Sequence, residues 1–160
     1  MLRSRIIPCL LVRKKGLVKT NQFKDSKYIG DPINAVKIFN EKEVDELIVL
    51  DIDATNENRG PDFEMIKNLA MECRMPFCYG GGVTSVKEAA KVINLGAEKV
   101  AFSSSIIQNF KLITEVSEVI GMQSVVVVLD YKKKGVFGSL EIFTHNGKRS
   151  TGLNLFEFVS

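Results

Sequence analysis

The sequence has no tryptophan and one histidine, His145, among 160 residues. A single histidine cannot build a His-rich metal site, and it argues against a Ser-His-Asp hydrolase. Cysteine is almost as sparse. Cys9, Cys73 and Cys78 are odd in number, and the last two are not spaced as C-x-x-C. Neither a disulfide framework nor a zinc site is expected, and the three read as small apolar packing groups in a reducing cytosol. Long apolar runs are missing too. The longest, such as Val125–Leu129, fall far short of the roughly 20 residues a membrane span needs. Arg3, Arg5 and Pro8 interrupt any secretory h-region. The expectation is a cytoplasmic protein with no membrane association. A 45% hydrophobic and 26% charged composition suits a globular chain, and its length suits one domain better than two.

Charge is distributed unevenly under a net value of +3. Residues 1–30 carry eight Lys or Arg against one acid, Asp25, and residues 41–72 carry ten acids against Lys42, Arg59 and Lys67. A basic segment attracts nucleic acid or a phosphorylated metabolite. No aromatic platform is interleaved with it and no recognition helix follows, so nucleic acid is not expected. A solvated surface and an anionic small molecule both stay open.

What the chain does contain is a regular alternation. Short runs rich in Val, Ile and Leu cover Ile6–Val12, Leu47–Ile52, Pro76–Tyr79, Lys99–Phe102 and Ser124–Leu129, as strands buried on both faces should be. Helical patterns lie between them: one opened by Asp31-Pro32, one from about Pro61 to Cys73, one capped by Ser85 with Glu88 three residues on, and one from about Asn109 to Ile120. Repeated strand–helix–strand units mean a parallel sheet. An internal match chooses between an open doubly wound sheet and a closed barrel. Leu11-Val12-Arg13-Lys14-Lys15-Gly16 and Asp130-Tyr131-Lys132-Lys133-Lys134-Gly135 close the first and fifth strands, 119 residues apart. That offset spans four βα units, half of an eight-unit barrel of roughly 250 residues. The fold class expected is therefore α/β of the (β/α)8 barrel family, in about five βα units. Residues 1–160 form one incomplete barrel domain with a hairpin insert at about 131–145, Leu140–Thr144 being its returning strand and a further helix starting near Gly152. Ile6–Val12 and Ser124–Leu129 are both expected as open edges.

Chemistry in such sheets collects at the carboxyl ends of strands. Those ends read Leu11-Val12, Asp51-Ile52-Asp53, Gly80-Gly81-Gly82, Ser103-Ser104-Ser105 and Asp130. Gly81 and Gly82 leave backbone N–H groups approachable, and Ser103 and Ser104 add donors on the next strand, which together favour a phosphate cradle over an ordinary turn and cap. Asp130 ends an oily strand, where a carboxyl can act as general acid or base with its pKa raised; a helix cap or an ion pair with a following lysine is the competing reading. Of Asp51 and Asp53, at most one is expected to face a barrel interior. His145 sits before Asn146-Gly147, the signal of a tight turn, and reads as a surface residue.

Arg5-Ile6-Ile7-Pro8-Cys9-Leu10, Gly30-Asp31-Pro32, Asp45-Glu46-Leu47, Leu50-Asp51-Ile52, Gly80-Gly81-Gly82, Gly96-Ala97-Glu98-Lys99-Val100 and Thr151-Gly152-Leu153 together resemble the cyclase subunit of imidazole glycerol phosphate synthase, from the first residue to about Glu157. The resemblance implies a (β/α)8 barrel that receives ammonia from a glutaminase partner and adds it to a phosphoribulosyl substrate, with no cofactor and no metal. By resemblance Gly82, Ser103 and Ser104 match a phosphate site, where the family usually has Asn-Thr in place of Ser103-Ser104. Lys19 matches a substrate-contacting lysine, Arg5, Glu46 and Lys99 match an ammonia gate on the opposite face, and Asp130 matches one of two catalytic aspartates. Asp51 and Gly81 join the substrate-binding group. The other aspartate position holds Leu11, which cannot transfer a proton. A branch of the family with leucine there is implied to work with an amidotransferase on surface-polysaccharide sugars. The competing expectation is a non-catalytic truncated fragment or phosphate-binding remnant.

Overall fold

The computed structural model describes residues 3–134 and 138–160. Gly135, which closes the internal match, lies outside the described residues, as do the neighbouring positions 136 and 137 of the expected insert.

Parallel strands β1 (Cys9–Arg13), β4 (Leu47–Asp51), β5 (Phe77–Gly80), β6 (Lys99–Phe102) and β7 (Val125–Val127) lie side by side in chain order. Helices connect consecutive strands: α1 (Pro32–Glu41), α2 (Phe63–Glu72), α3 (Val86–Asn94), and α4 (Ser104–Gln108) followed by α5 (Lys111–Ile120). A strand order that never reverses is that of a (β/α) barrel; a doubly wound sheet has a switch point where the order turns back.

Local signals explain these elements. Asp31 accepts from Ile33 N at 2.9 Å and Asn34 N at 3.1 Å ahead of Pro32, and Asp62 accepts from Met65 N at 3.0 Å to open α2. Ser85 caps α3, while Glu88 reaches back to Thr84 N at 2.8 Å and to both hydroxyls, a capping box displaced by one residue. Val36, Leu47, Val49, Ile66, Leu69, Tyr79, Val92, Val100 and Ile106 are wholly buried between sheet and helices. Each such side chain contributes roughly 1.5–3 kcal/mol of transfer free energy.

Two differences from the sequence-based expectation concern the flanks. Residues after β1 fold into an antiparallel hairpin, β2 (Gly16–Asn21) and β3 (Lys24–Gly30), which pairs with β1 through β2. The first barrel strand is therefore not an open edge. Within the seven-stranded sheet the edges are β3 and β7, and β3 is almost entirely exposed and carries Lys24 and Lys27, charges that discourage strand addition. The fifth strand is also shorter than its apolar run. It stops at Val127, and after Val128 N donates to Phe102 O at 2.8 Å the chain leaves for a separate three-stranded sheet. That sheet orders β8 (Asp130–Lys133) and β10 (Arg149–Asn154) on either side of β9 (Leu140–Thr144). Asp130 thus opens β8 rather than ending the strand of valines. The helix expected near Gly152 begins later, as α6 (Leu155–Val159). Cys78 is a buried packing group as expected, whereas Cys9 is exposed.

The charge asymmetry has a structural explanation. Arg5 pairs with Glu46 at 3.2 Å, Arg13 with Asp53 at 3.1 Å and Lys15 with Glu64 at 3.3 Å, so three cations of the basic first segment pair with acids of the second.

Candidate functional site

β4, β5 and β6 end level with one another, and their carboxyl ends form the floor of a cavity of about 760 Å3. Gly81, Gly82, Ser103, Ser104 and Asp51 all line it. The glycines are required by the chain itself. At Gly81, with φ +129°, a Cβ would sit 2.6 Å from Asp51 O, and at Gly82, with φ +71°, it would run into Arg59 O and lie 2.9 Å from Gly60 C. Close backbone approach and left-handed conformation both demand glycine before any ligand is considered. Ser104 is buried, and Ser103 precedes the short α4 without a side-chain capping bond.

Asp51 is fully committed. Its Oδ1 accepts from Asp53 N at 3.1 Å and Ala54 N at 3.2 Å, and the carboxylate pairs with Arg59 Nη1 at 3.2 Å. Arg59 is held firmly cationic, by Glu57 first and Asp51 second. Asp53 lies beyond the end of β4 and accepts from Arg13 Nε at 3.1 Å, so only one aspartate of the pair faces the cavity; had the strand continued, residues two apart would have shared a face.

The walls come from the two flanking hairpins. Thr20, Gln22 and Phe23 of the β2–β3 hairpin line one part, and Asp130, His145 and Asn146 another. Leu11 is in the lining as well. Asp130 has no ion pair or side-chain hydrogen bond among the described residues, and burial raises its carboxyl above the ordinary value, against a smaller opposing effect of Lys132. Lys19 is not brought into the cavity. It is exposed on β2 opposite Lys27, and alternation turns its neighbour Thr20 inward instead.

At the other end of the same strands lies an ionic cluster in which Glu46 is buried, Lys99 largely so and Arg5 exposed. Glu46, just before β4, accepts from Lys99 Nζ at 2.5 Å and from Arg5 Nη1 at 3.2 Å. Glu46 is only 5% exposed. Beside it the Cys78 thiol is pushed up to about 12 by burial and then by the Glu46 charge.

Residues 5–160 match the model of a family described as "Histidine biosynthesis protein". The chain belongs to that family. It is 54% identical over 160 residues to the provisionally named imidazole glycerol phosphate synthase subunit hisF3 of Vibrio vulnificus, covering 99% of this chain and 61% of that protein. It is 51% identical over 154 residues to a provisionally named HisF subunit of Leptospira interrogans, 96% of this chain and 61% of that protein. To the imidazole glycerol phosphate synthase subunit HisF of Exiguobacterium sibiricum it is 38% identical over 159 residues, 99% and 63% of the two chains. The chain spans about three fifths of the length of these curated relatives. Membership in the histidine biosynthesis family agrees with the (β/α)8-type strand order. No helix among the described residues is long and apolar enough to cross a membrane.

Among the cavity residues that sequence reasoning missed are Phe23, Arg59 and His145. Phe23 and Arg59 carried no local signal. His145 was read as a surface turn residue, and the turn is real: His145, Asn146 and Gly147 all have positive φ. The turn lies across the cavity, however, because Asn146 Nδ2 donates to Ile52 O at 2.7 Å over 94 residues of chain.

Proposed function

We propose that this chain acts as the ammonia-using, cyclase-subunit-like component of a glutamine amidotransferase of the imidazole glycerol phosphate synthase kind. It receives ammonia from a glutaminase subunit and delivers it to a phosphoribosyl-type substrate in the cytoplasm, without a cofactor, nucleic acid or membrane. The observation that carries this reading is the polarity of one sheet. A cavity with Gly82, Ser103, Ser104 and Asp130 occupies the carboxyl ends of strands whose amino ends hold the Arg5–Glu46–Lys99 cluster. In this reading residues 1–160 form one incomplete barrel domain with a hairpin insert at 131–145. Ser103, Ser104 and the Gly81–Gly82 backbone hold a phosphate, Asp130 moves a proton, and the ionic cluster admits ammonia.

Leu11 on the cavity wall favours ammonia transfer without ring closure, the chemistry of surface-sugar amidination, because an aliphatic group contributes no acid or base. The test begins with binding. Ribulose 5-phosphate should raise the melting temperature, by the equivalent of about 2.7 kcal/mol at a hundredfold excess over Kd. Ser103→Asp, which sets a carboxylate against the phosphate, should remove the shift. An equal shift in both proteins overturns the phosphate assignment. Binding with no acceleration of ammonia addition, alone or with a glutaminase subunit, leaves a phosphate-binding remnant as the correct reading.

A further inference from the structure

Five titratable side chains line the cavity: Asp51, Arg59, Glu88, Asp130 and His145. Asp51 and Arg59 neutralise each other, and Asp51 also accepts two backbone N–H groups. Glu88 accepts from Thr84 N and from the hydroxyls of Thr84 and Ser85. Two groups are left over for a ligand, Asp130 and His145. The imidazole is fixed by the turn that carries it. Asn146 is bonded to Ile52 O, and His145 Nδ1 lies 3.1 Å from Thr144 Oγ1, while Nε2 of this cavity-lining residue has no hydrogen-bond partner among the described residues.

Addition of ammonia to a carbonyl needs one group to give a proton to oxygen and another to take one from nitrogen. We propose that His145 contacts the carbonyl end of the bound sugar phosphate and is the second proton-transfer residue of this cavity, partner to Asp130; the proposal rests on the function proposed above. Ammonia nitrogen bonds to the carbonyl carbon as the C=O π pair moves to oxygen. Asp130 in its acid form protonates that oxygen, and His145 Nε2 removes a proton from the nitrogen, giving a neutral carbinolamine. The imidazolium then protonates the hydroxyl, which leaves as water while the nitrogen pair forms C=N, and the Asp130 carboxylate takes the last proton. Both residues return to their starting forms. Burial, then the Arg149 charge, holds the imidazole below its ordinary value, so it is neutral and ready to accept at pH 7. Lys148 and Arg149 flank it in the chain, and Asp51, Arg59, Glu88 and Asp130 share its cavity.

Because the chain has one histidine, its imidazole Cε1–H resonance reports this site without turnover. Ribulose 5-phosphate should move that resonance together with the Ser103 amide, whereas inorganic phosphate should move the Ser103 amide alone. A shifted Ser103 amide with an unmoved imidazole overturns the His145 proposal and spares the phosphate reading. Neither moving overturns both. His145→Asn, which tolerates left-handed backbone, should keep binding and melting behaviour. It should lower ammonia-dependent kcat about 100-fold or more and remove the acidic limb of its pH profile. An unchanged profile in this variant also overturns the proposal.

Discussion

The parallel core, made of Cys9–Arg13 and the chain from Asp31 to Val127, and the two antiparallel flanks, Gly16–Gly30 and Asp130–Asn154, divide stability from chemistry. The core holds nearly all of the wholly buried side chains, among them Leu47, Ile66, Leu69, Val92 and Val100. The flanks are less deeply buried: Leu17, Val18 and Ile142 are covered, but β3 is exposed along almost its whole length, with Tyr28 and Ile29 turned to solvent. Yet both uncommitted titratable groups of the cavity, Asp130 and His145, stand on the second flank. The core supplies a floor of glycine backbone and serine donors. The walls belong to elements that bury fewer side chains than the core does.

The sharpest way to break this comparison is to truncate one side chain in each region. Leu69→Ala in α2 should cost about 2–5 kcal/mol, whereas Ile29→Ala on β3 should change stability by less than about 0.5 kcal/mol. Urea midpoints measure both, and similar losses would end the distinction. Next in size is the ionic cluster. Glu46→Gln strands Lys99 in a largely buried position and should cost about 3 kcal/mol. Lys15→Ala, which removes an exposed pair with Glu64, should cost about 0–1 kcal/mol. Thermal melts at low and high salt separate the two, since only the exposed pair is screened.

A smaller effect is expected where the second flank meets the core. Asn146→Ala removes the bond to Ile52 O and should cost about 1 kcal/mol, with faster amide exchange confined to the turn at His145. The smallest effect has the opposite sign. Burial raises the Asp130 carboxyl above its ordinary value, so the folded state binds its proton more tightly than the unfolded state does. Stability is consequently lost as pH rises from about 3.9 through the folded value. Asp130→Asn should therefore melt slightly higher than the parent at pH 7 and equally at pH 3, while losing the proposed chemistry. A lower melting point at pH 7 would show that the carboxylate is bonded rather than merely buried.

How much of this was legible depended on the region. Lys99–Phe102 and Leu140–Thr144 are strands at the bounds the sequence suggested, and Asp31 and Ser85 cap the helices they announce. The β2–β3 hairpin was not legible. Its turns place Lys14, Lys15, Gln22 and Phe23 at positive φ, so the usual Asn-Gly or Gly-Gly signal is absent. The run of lysines hid the buried Leu17 and Val18. Within the site, Gly82, Ser103, Ser104 and Asp51 were visible as unusual endings to oily strands, and Asp130 as an acid following the valine run, although it opens β8 rather than ending that strand. Arg59 and His145 were not, because their place in the cavity is set by pairings with Asp51 and Ile52 rather than by neighbours in the chain.

By itself the sequence determined the βα units and which end of the sheet would carry polar groups. Apolar periodicity, caps and strand-end residues are local, and they act through the chain's nearest turns. Tertiary structure alone decided three things. The hairpin protects the first strand, three cations of the basic segment pair with the acidic one, and a turn carrying the single histidine is drawn over the cavity by one hydrogen bond. The hairpin pairs residues only 3 to 13 positions apart, whereas the other two join residues 40 to 94 positions apart. No local pattern encodes such a meeting, because its energy appears only once the chain has folded and the partners have been brought out of water together.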